Sequence, residues 1–393
     1  MARLLTMGFE LNSLDWGVEL DTVLFNDGAS ISLVTGRRGG KALRSEVTNF
    51  AVLRFTPTAS RKFLASAEYR TYFVRLYIFV NSVPSATSNI IATISGTGGS
   101  QLVTLKLSTS NKVIVDADTA GGGVATSSSA LATNTWHRID LKIDIANPAS
   151  TSVELRVNNA FEGLLTGSFA NGLNQLTLIN ATANANCYVD FDDIAINDST
   201  GSYQNSYPPE AQIIALSPST SGEFSQWSSS SGSAISDVDE LPPLISDYIS
   251  ASTLDTKSFF TVQNPRAGAR VHLVELGCQC TGGAGSNNAQ FKVMAQIANS
   301  GNITYSPGIT PANTTQFVNS ATSPIVSPLI MYANPNGTAW TPANLKSLQI
   351  GVIISAAAAN ATRIGGLWAL AEVSNLEISN VASVSGLSSI TGS

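Results

Sequence analysis

Short apolar runs, many alternating with polar positions, fill the first half of the chain. "YFVRLYIFV" (72–80), "NIIATIS" (89–95), "LVTLKLS" (102–108), "KVIVDAD" (112–118) and "HRIDLKIDI" (137–145) are rich in β-branched and aromatic residues. "NFAVLRF" (49–55), "SVELRVNN" (152–159), "QLTLINAT" (175–182) and "CYVDFDDIAIN" (187–197) read the same way. Such residues suit a pleated, half-buried surface. Turn clusters such as "GTGGS", "TAGGG", "NPAST" and "TGSFANG" separate the runs. Short strands at this spacing predict a sandwich or barrel. Almost no helical periodicity precedes residue 200.

The pattern changes between 199 and 235, where "DSTGSYQNSYPPE" carries a proline pair and the following stretch is serine-rich. This composition predicts a linker or extended arm. Phe224 and Trp227 are too apolar for a free linker and are expected to be pinned against a folded surface. A second block of strands follows: "SFFTVQN" (258–264), "RVHLVELGCQC" (270–280), "QFKVMAQIA" (290–298), "LQIGVIISA" (348–356) and "GLWALAEVSNLEI" (366–378). "AWTPANLKSL" (339–348) predicts one short helix, with Thr341 as N-cap and Pro342 at the first helical position, where no amide donor is needed. The tail 381–393 is small and polar, and is expected to be flexible or ordered by a partner.

The chain has 393 residues, enough for two or three domains at ~100–200 residues each. Hydrophobic residues make up 43% and charged residues only 12%, a combination that argues against disorder. Net charge is −6, and the densest cationic stretch is Arg37, Arg38, Lys41 and Arg44. A nucleic-acid partner is therefore not expected. No apolar run reaches the length of a membrane helix, and the N-terminal residues do not read as a signal peptide. Three cysteines and two histidines do not compose a four-ligand zinc site. Cys278 and Cys280 are expected on one strand face as small buried thiols, and Cys187 in the same class.

The densest candidate chemistry is "YVDFDDIAIND" (188–198), with four aspartates. Strict alternation puts Tyr188, Asp190, Asp192, Ile194 and Ile196 on one face, and Val189, Phe191, Asp193, Ala195 and Asn197 on the other. Asp190 and Asp192 would then sit about 7 Å apart and could lend oxygens to a calcium shell. No second acidic cluster completes such a shell. "DFDD" also has no Glu and departs from the ExDxxE-like pattern of jelly-roll glucanases, and nothing in the sequence argues for the raised pKa an acid would need, so a solvated strand start with a buried end is the preferred reading. "TWHRIDL" (135–141) brings His137 near Asp140, but no nucleophile elbow accompanies it. It reads as a strand at the sandwich edge with Trp136 covering the core. The glycine-rich pieces lack a following Lys-Ser/Thr and read as hairpin turns. Trp16, Trp136, Trp227, Trp340 and Trp368 could stack on sugars, with core packing the expected use for most.

"MARLLTMGFELNSLDWGVEL", "GRRGGKALR", "TWHRIDLKIDI", "VELRVNN" and "VDFDDIAIND" together resemble the concanavalin-A-like, laminin-G-type jelly rolls of tailed-phage structural proteins. In that family a "GFE" strand opens the domain and a "DDI/V" strand closes it. Residues 219–356 resemble a module common in phage virion proteins, through "GEFSQWS", "SDVDELPPLISDYISASTLDTKSFFTV", "VHLVELGCQCT" and "YANPNGTAWTPANLKSLQIGVII". "LISDYISAS" stands where that module is more acidic.

The resemblance implies an all-β chain with four parts. A jelly-roll β-sandwich at 1–198 is followed by a linker or arm at 199–235, a β-rich sandwich module with one short helix at 236–380, and the tail at 381–393. It implies a virion protein, a capsid decoration, fibre or tail-associated component acting by assembly and adhesion, and not an enzyme. No catalytic residue, cofactor or metal is assigned. The expected partners are further copies in a homo-oligomer, other capsid or tail proteins and a host-surface glycan, with no membrane. The alternative reading is a glycan- or receptor-binding adhesin using the jelly roll.

Overall fold

The computed structural model describes residues 3–375 apart from 15–19, 21, 25–28, 48–57, 65, 86–88, 97–100, 118–122, 168–170, 182–186, 244–245, 264–268, 283–287, 299 and 312–325. The expected strand 49–55, Trp16, the tail and most of the glycine-rich turns lie outside the described residues, as does the side chain of Cys187.

The first fifteen strands are, in chain order, β1 Arg3–Met7, β2 Thr22–Leu24, β3 Ala29–Thr35, β4 Lys41–Val47, β5 Thr58–Lys62, β6 Thr71–Val80, β7 Asn89–Ser95, β8 Gln101–Leu107, β9 Val113–Ala117, β10 Val124–Thr126, β11 Trp136–Asp144, β12 Thr151–Val157, β13 Ala160–Gly167, β14 Gln175–Ala181 and β15 Cys187–Asp198. One sheet has the order β13-β12-β11-β6-β15-β4-β3, with β1 also on β15, and the other has the order β10-β9-β8-β7-β14-β5-β2. Their inner faces make a jelly-roll sandwich. On β6 the alternate residues Tyr72, Val74, Leu76, Ile78 and Val80 enter the core, where the second sheet presents Ala92, Ile94, Val103, Leu105 and Leu176. The intervening Phe73, Arg75, Tyr77 and Phe79 take the outer face.

The opening strand β1 pairs with the closing strand β15, Met7 opposite Ile194. The "GFEL" residues that follow β1 form a turn, not the strand the resemblance implies, with Phe9 at a φ of 59°. Strands β5 (TASRK) and β13 (AFEGLLTG) escaped the sequence reading because they are polar or interrupted by glycine.

The second group is β16 Gln212–Leu216, β17 Pro218–Ser225, β18 Ser228–Ser229, β19 Ile249–Ala251, β20 Lys257–Val262, β21 Ala269–Thr281, β22 Gln290–Ile297, β23 Ile303–Tyr305, β24 Val326–Met331, α1 Pro342–Lys346, β25 Leu348–Ala356 and β26 Thr362–Asn375. These form a sheet β18-β19-β26-β21-β24, with β16 also on β26, and a sheet β17-β20-β25-β22-β23. Strands β16, β17 and β18 fall inside the stretch read as linker. Strands β17 and β18 were hidden because their apolar content is low, and β16 (QIIAL) because it is a short run between proline- and serine-rich stretches. Trp227 is buried in the second core and its indole N–H donates to the Thr256 carbonyl at 3.1 Å. Phe224 packs against Phe259 beneath the Lys257 ammonium. The helix has the expected cap: Thr341 accepts from the Asn344 amide, and the Asn344 side chain returns the bond. Cys278 and Cys280 are both buried in the second core, and the hydrogen bond from Cys280, followed by burial, pushes the Cys278 thiol up.

Strand β26 is buried on both faces. Leu367, Ala369, Ala371 and Val373 enter the second core, while Trp368 and Leu370 join Leu11 and Ile213 in a smaller cluster that links the two sandwiches. Gly8 permits this approach, since a Cβ there would lie 2.8 Å from the Ile213 Cβ. Glu372 continues the outward face and meets two arginines of the first sandwich, Arg3 at 2.8 Å and Arg75 at 2.7 Å, all three fully buried.

Candidate functional site

The outer face of the larger sheet of the first sandwich collects the charged and aromatic residues that the core excludes. Strand β15 supplies the aspartates, and each has a partner. Asp190 is gripped by both nitrogens of the Arg44 fork at 2.7 and 2.9 Å. Asp192 accepts the backbone amides of Arg37 at 2.8 Å and Asp193 at 2.7 Å. Asp193 accepts from the Arg37 guanidinium at 2.7 Å and from the Ile213 amide at 2.7 Å. Asp198 pairs with Arg70 and accepts the Thr200 amide at 2.9 Å.

Strict alternation along β15 fails at Asp193. This residue has a φ of 48° and lies in a bulge between Asp192 and Ala195. A bulge inserts one residue and re-aims those after it. Val189 and Phe191 are therefore in the core with Ile194 and Ile196, while Asp193 joins Asp190 and Asp192 in hydrogen bonds outside it. The solvated strand start is corrected too: Asp190, Asp192 and Asp193 are all buried. Burial pushes the Asp190 carboxyl up, against the pull of Arg44. Burial, and then the neighbouring Asp193, push Asp192 well above the usual carboxylate range. Guanidinium and amide donors thus occupy the oxygens that a calcium ion would use. Among the described residues no group of three or more candidate metal ligands occurs.

His137 and Asp140 are three apart on β11, so they project to opposite sides of the sheet. The His137 ring bonds the Ala132 carbonyl at 2.9 Å and Asn158 at 3.2 Å, whereas Asp140 pairs with Arg138 through two bonds of 2.8 Å. Strand β11 is interior to its sheet, between β6 and β12, and not at an edge. Trp136 lies on the outer face against Phe79 instead of covering the core.

The outer face has two halves. One is roofed by the arm that follows β15. The Pro208 carbonyl accepts from Arg138 at 2.8 Å, the Pro209 carbonyl from Arg75, and the Ala211 carbonyl from Arg37 at 2.7 Å. Tyr207 packs edge-on to Phe73, with the Arg156 guanidinium 4.7 Å from its ring centre. An extended segment has free carbonyls, and Arg75 and Arg138 on adjacent strands, with Arg37 from the β3–β4 turn, satisfy them. The other half is open. Tyr188, Phe79 and Trp136 cross β15, β6 and β11 as a row, with ring centroids 6.2 and 5.6 Å apart. All three rings are half-buried. The Arg44 guanidinium lies 3.5 Å from the Tyr188 ring centre and is itself fixed by Asp190. Glu46 stands opposite Tyr188 on β4. The row thus offers apolar ring surface beside fixed charged donors and acceptors.

Sequence reading missed Arg3, Arg75, Arg138 and Glu372 as the groups that organise this region. The available signal was a lone charge inside an otherwise apolar strand, as in "YFVRLYIFV" and "LWALAEVSN", which marks a buried partner.

No family model matches the chain, and no curated protein matches it. Solved structures do. An endo-beta-1,4-glucuronan lyase from the fungus Trichoderma reesei is 14% identical over 51% of this chain and 100% of its own, with a TM-score of 0.39. A PL-14 alginate lyase from Aplysia kurodai is 12% identical over 50% of this chain and 99% of its own, with a TM-score of 0.39. A carbohydrate esterase from the Shiga toxin-encoding bacteriophage phi24B is 15% identical over 51% of this chain and 100% of its own, with a TM-score of 0.38. These three are carbohydrate-active proteins by their names, one of them from a phage. The expectation that the chain is not an enzyme is withdrawn, because these structures include polysaccharide lyases and an esterase; the likeness is one of fold and assigns no activity to this chain.

Proposed function

We propose that the first sandwich is a glycan-binding module and that its open outer face is the contact surface. The observation that carries this reading is the row Tyr188, Phe79 and Trp136 beside the Arg44–Asp190 pair. Sugar rings present apolar C–H faces edged by hydroxyls. A row of rings on neighbouring strands takes the former, and the part-exposed Arg44 guanidinium, fixed by the buried Asp190, donates to the latter. Because the strands are paired on both sides, the row is held by the sheet and loses little freedom on binding.

The setting we infer is the surface of a tailed-phage particle, with other copies of the chain as partners. Support comes from the resemblance over 219–356 and from apolar residues available for contact: Phe161 and Leu164 on edge strand β13 and Val124 on β10 are all more than half exposed. A glycan array probed with the full chain tests the binding reading. Specific signals that vanish in Trp136→Ala and Tyr188→Ala are expected, and bound glycans are then assayed for cleavage. An array without specific signals, or signals that survive both substitutions, refutes it. Immunogold imaging of particles tests the setting.

A further inference from the structure

A second site lies away from the sheet face. The arm and the second sandwich enclose a pocket of about 240 Å³ lined by Tyr203, Gln204, Arg270, His272, Tyr332 and Trp340. Two features of its walls go beyond packing. Gln204 is a non-glycine residue at a φ of 54°, a conformation that collects at ligand clamps. Strand β21 bulges so that Val271 pairs with Val373 and Leu273 with Glu372, leaving His272 as the extra residue. Bulges re-aim side chains in this way next to functional sites.

The walls are held from behind. Tyr332 accepts the Arg3 amide at 2.8 Å, Gln204 accepts from the Arg3 guanidinium at 3.4 Å, and His272 bonds Ser374 at 2.9 Å. Tyr203 is 60% exposed, and its ring stacks on Tyr332 at 5.6 Å and 14°. It stands at the mouth of the pocket as an aromatic flap on the arm.

The charge pattern names the ligand class. Arg3, Arg37, Arg44, Arg70, Arg75, Arg138 and Arg156 each have a carboxylate partner. Arg38, Arg270 and Arg363 have none among the described residues, and of these Arg270 is the one that lines the pocket, where it is exposed and no acidic residue joins it. The guanidinium fork is matched by a planar carboxylate. Trp340 donates its indole N–H to the Met331 carbonyl at 3.1 Å and is buried in the second core, so it closes the floor of the pocket. The volume is below the ~300–1,000 Å³ of a drug-sized site, which fits one ring and its substituents.

We propose that this pocket binds a uronic-acid unit, its carboxylate on Arg270 and its ring beside the stacked Tyr203 and Tyr332 rings. The site is separate from the aromatic row on the first sandwich, and its test separates the two. Binding of D-glucuronate, D-glucose and acetate to the full chain is measured by calorimetry and saturation-transfer NMR. Glucuronate is expected to bind at one site, at least tenfold tighter than glucose or acetate. Arg270→Gln is expected to weaken glucuronate at least tenfold, and Tyr203→Ala severalfold. Both residues are exposed, so circular dichroism should stay unchanged. Trp136→Ala should leave glucuronate binding intact. No glucuronate binding, equal binding of glucose or acetate, an unaffected Arg270→Gln, or loss in Trp136→Ala would each overturn the proposal.

Discussion

Replacing Glu372 with alanine tests the buried junction between the sandwiches most directly. Glu372 accepts from Arg3 and Arg75 at 2.8 and 2.7 Å with no solvent exposure on any of the three. Its loss leaves two guanidinium groups uncompensated in a dry interface. Breaking a buried pair from one side costs about 3–5 kcal/mol, a large part of a total stability of about 5–15 kcal/mol. Urea unfolding followed by tryptophan fluorescence reads this as a lower midpoint with the slope retained.

A second arm separates charge from shape. The triple variant Arg3→Met, Arg75→Met, Glu372→Leu removes every charge at similar volume and is expected to recover part of the Glu372→Ala loss, the remainder reflecting the donors it takes from the Asp193 and Pro209 carbonyls. The third arm is pH. Burial alone would raise the Glu372 carboxyl, but the two guanidinium groups outweigh it and hold it below its ordinary value of 4.5. A carboxyl lowered in the fold contributes stability that is present above that ordinary value and is lost as pH falls through the lowered one. The difference in stability between wild type and Glu372→Gln should therefore shrink from pH 4.5 downward. A Glu372→Ala cost below about 1 kcal/mol, or a difference independent of acid pH, would refute the reasoning.

Three further outcomes follow from the same structure. Asp192 is raised well above its ordinary value, so its charge costs stability at neutral pH and the cost is relieved as pH falls through the raised value. Relative to Asp192→Asn, wild type should gain stability on that descent, the opposite sign to Glu372, in urea titrations at a series of pH values. Gly277→Ala would bring a Cβ to 2.3 Å from the Trp368 indole nitrogen on the paired strand, and the overpacking should cost about 1–3 kcal/mol in thermal or urea unfolding. Asp237 is fully buried and accepts from the Ser229 hydroxyl at 2.6 Å, the Ser230 amide at 2.9 Å and the Ser231 hydroxyl. Asp237→Ala should cost about 3 kcal/mol and speed proteolysis of the serine-rich loop.

The serine-rich loop shows where composition misleads. "SSSSGS" reads as linker, yet its serines converge on one carboxylate eight residues away or fewer, beside the buried Trp227. Residue type was visible, and the convergence was not. The "NPNGTAWTPANLKSL" segment was legible because its bonds are local. Asn334 accepts the Asn336 amide at 2.9 Å and donates to Asn344 at 2.9 Å, while Thr341 and Asn344 cap each other.

By itself, the sequence determined the β class, most of the long strands and the short capped helix. Those features follow from alternation, turn chemistry and capping, which act over a few residues. The tertiary structure decided what the aspartates do. Their arginine partners lie 128 to 156 residues away, and a single bulge at Asp193 re-aims the strand in a way no alternation rule contains. The aromatic row and the pocket behind the arm have the same origin. Each is made by strands or segments distant in the chain, and only sheet register and the docking of one sandwich on the other bring them together.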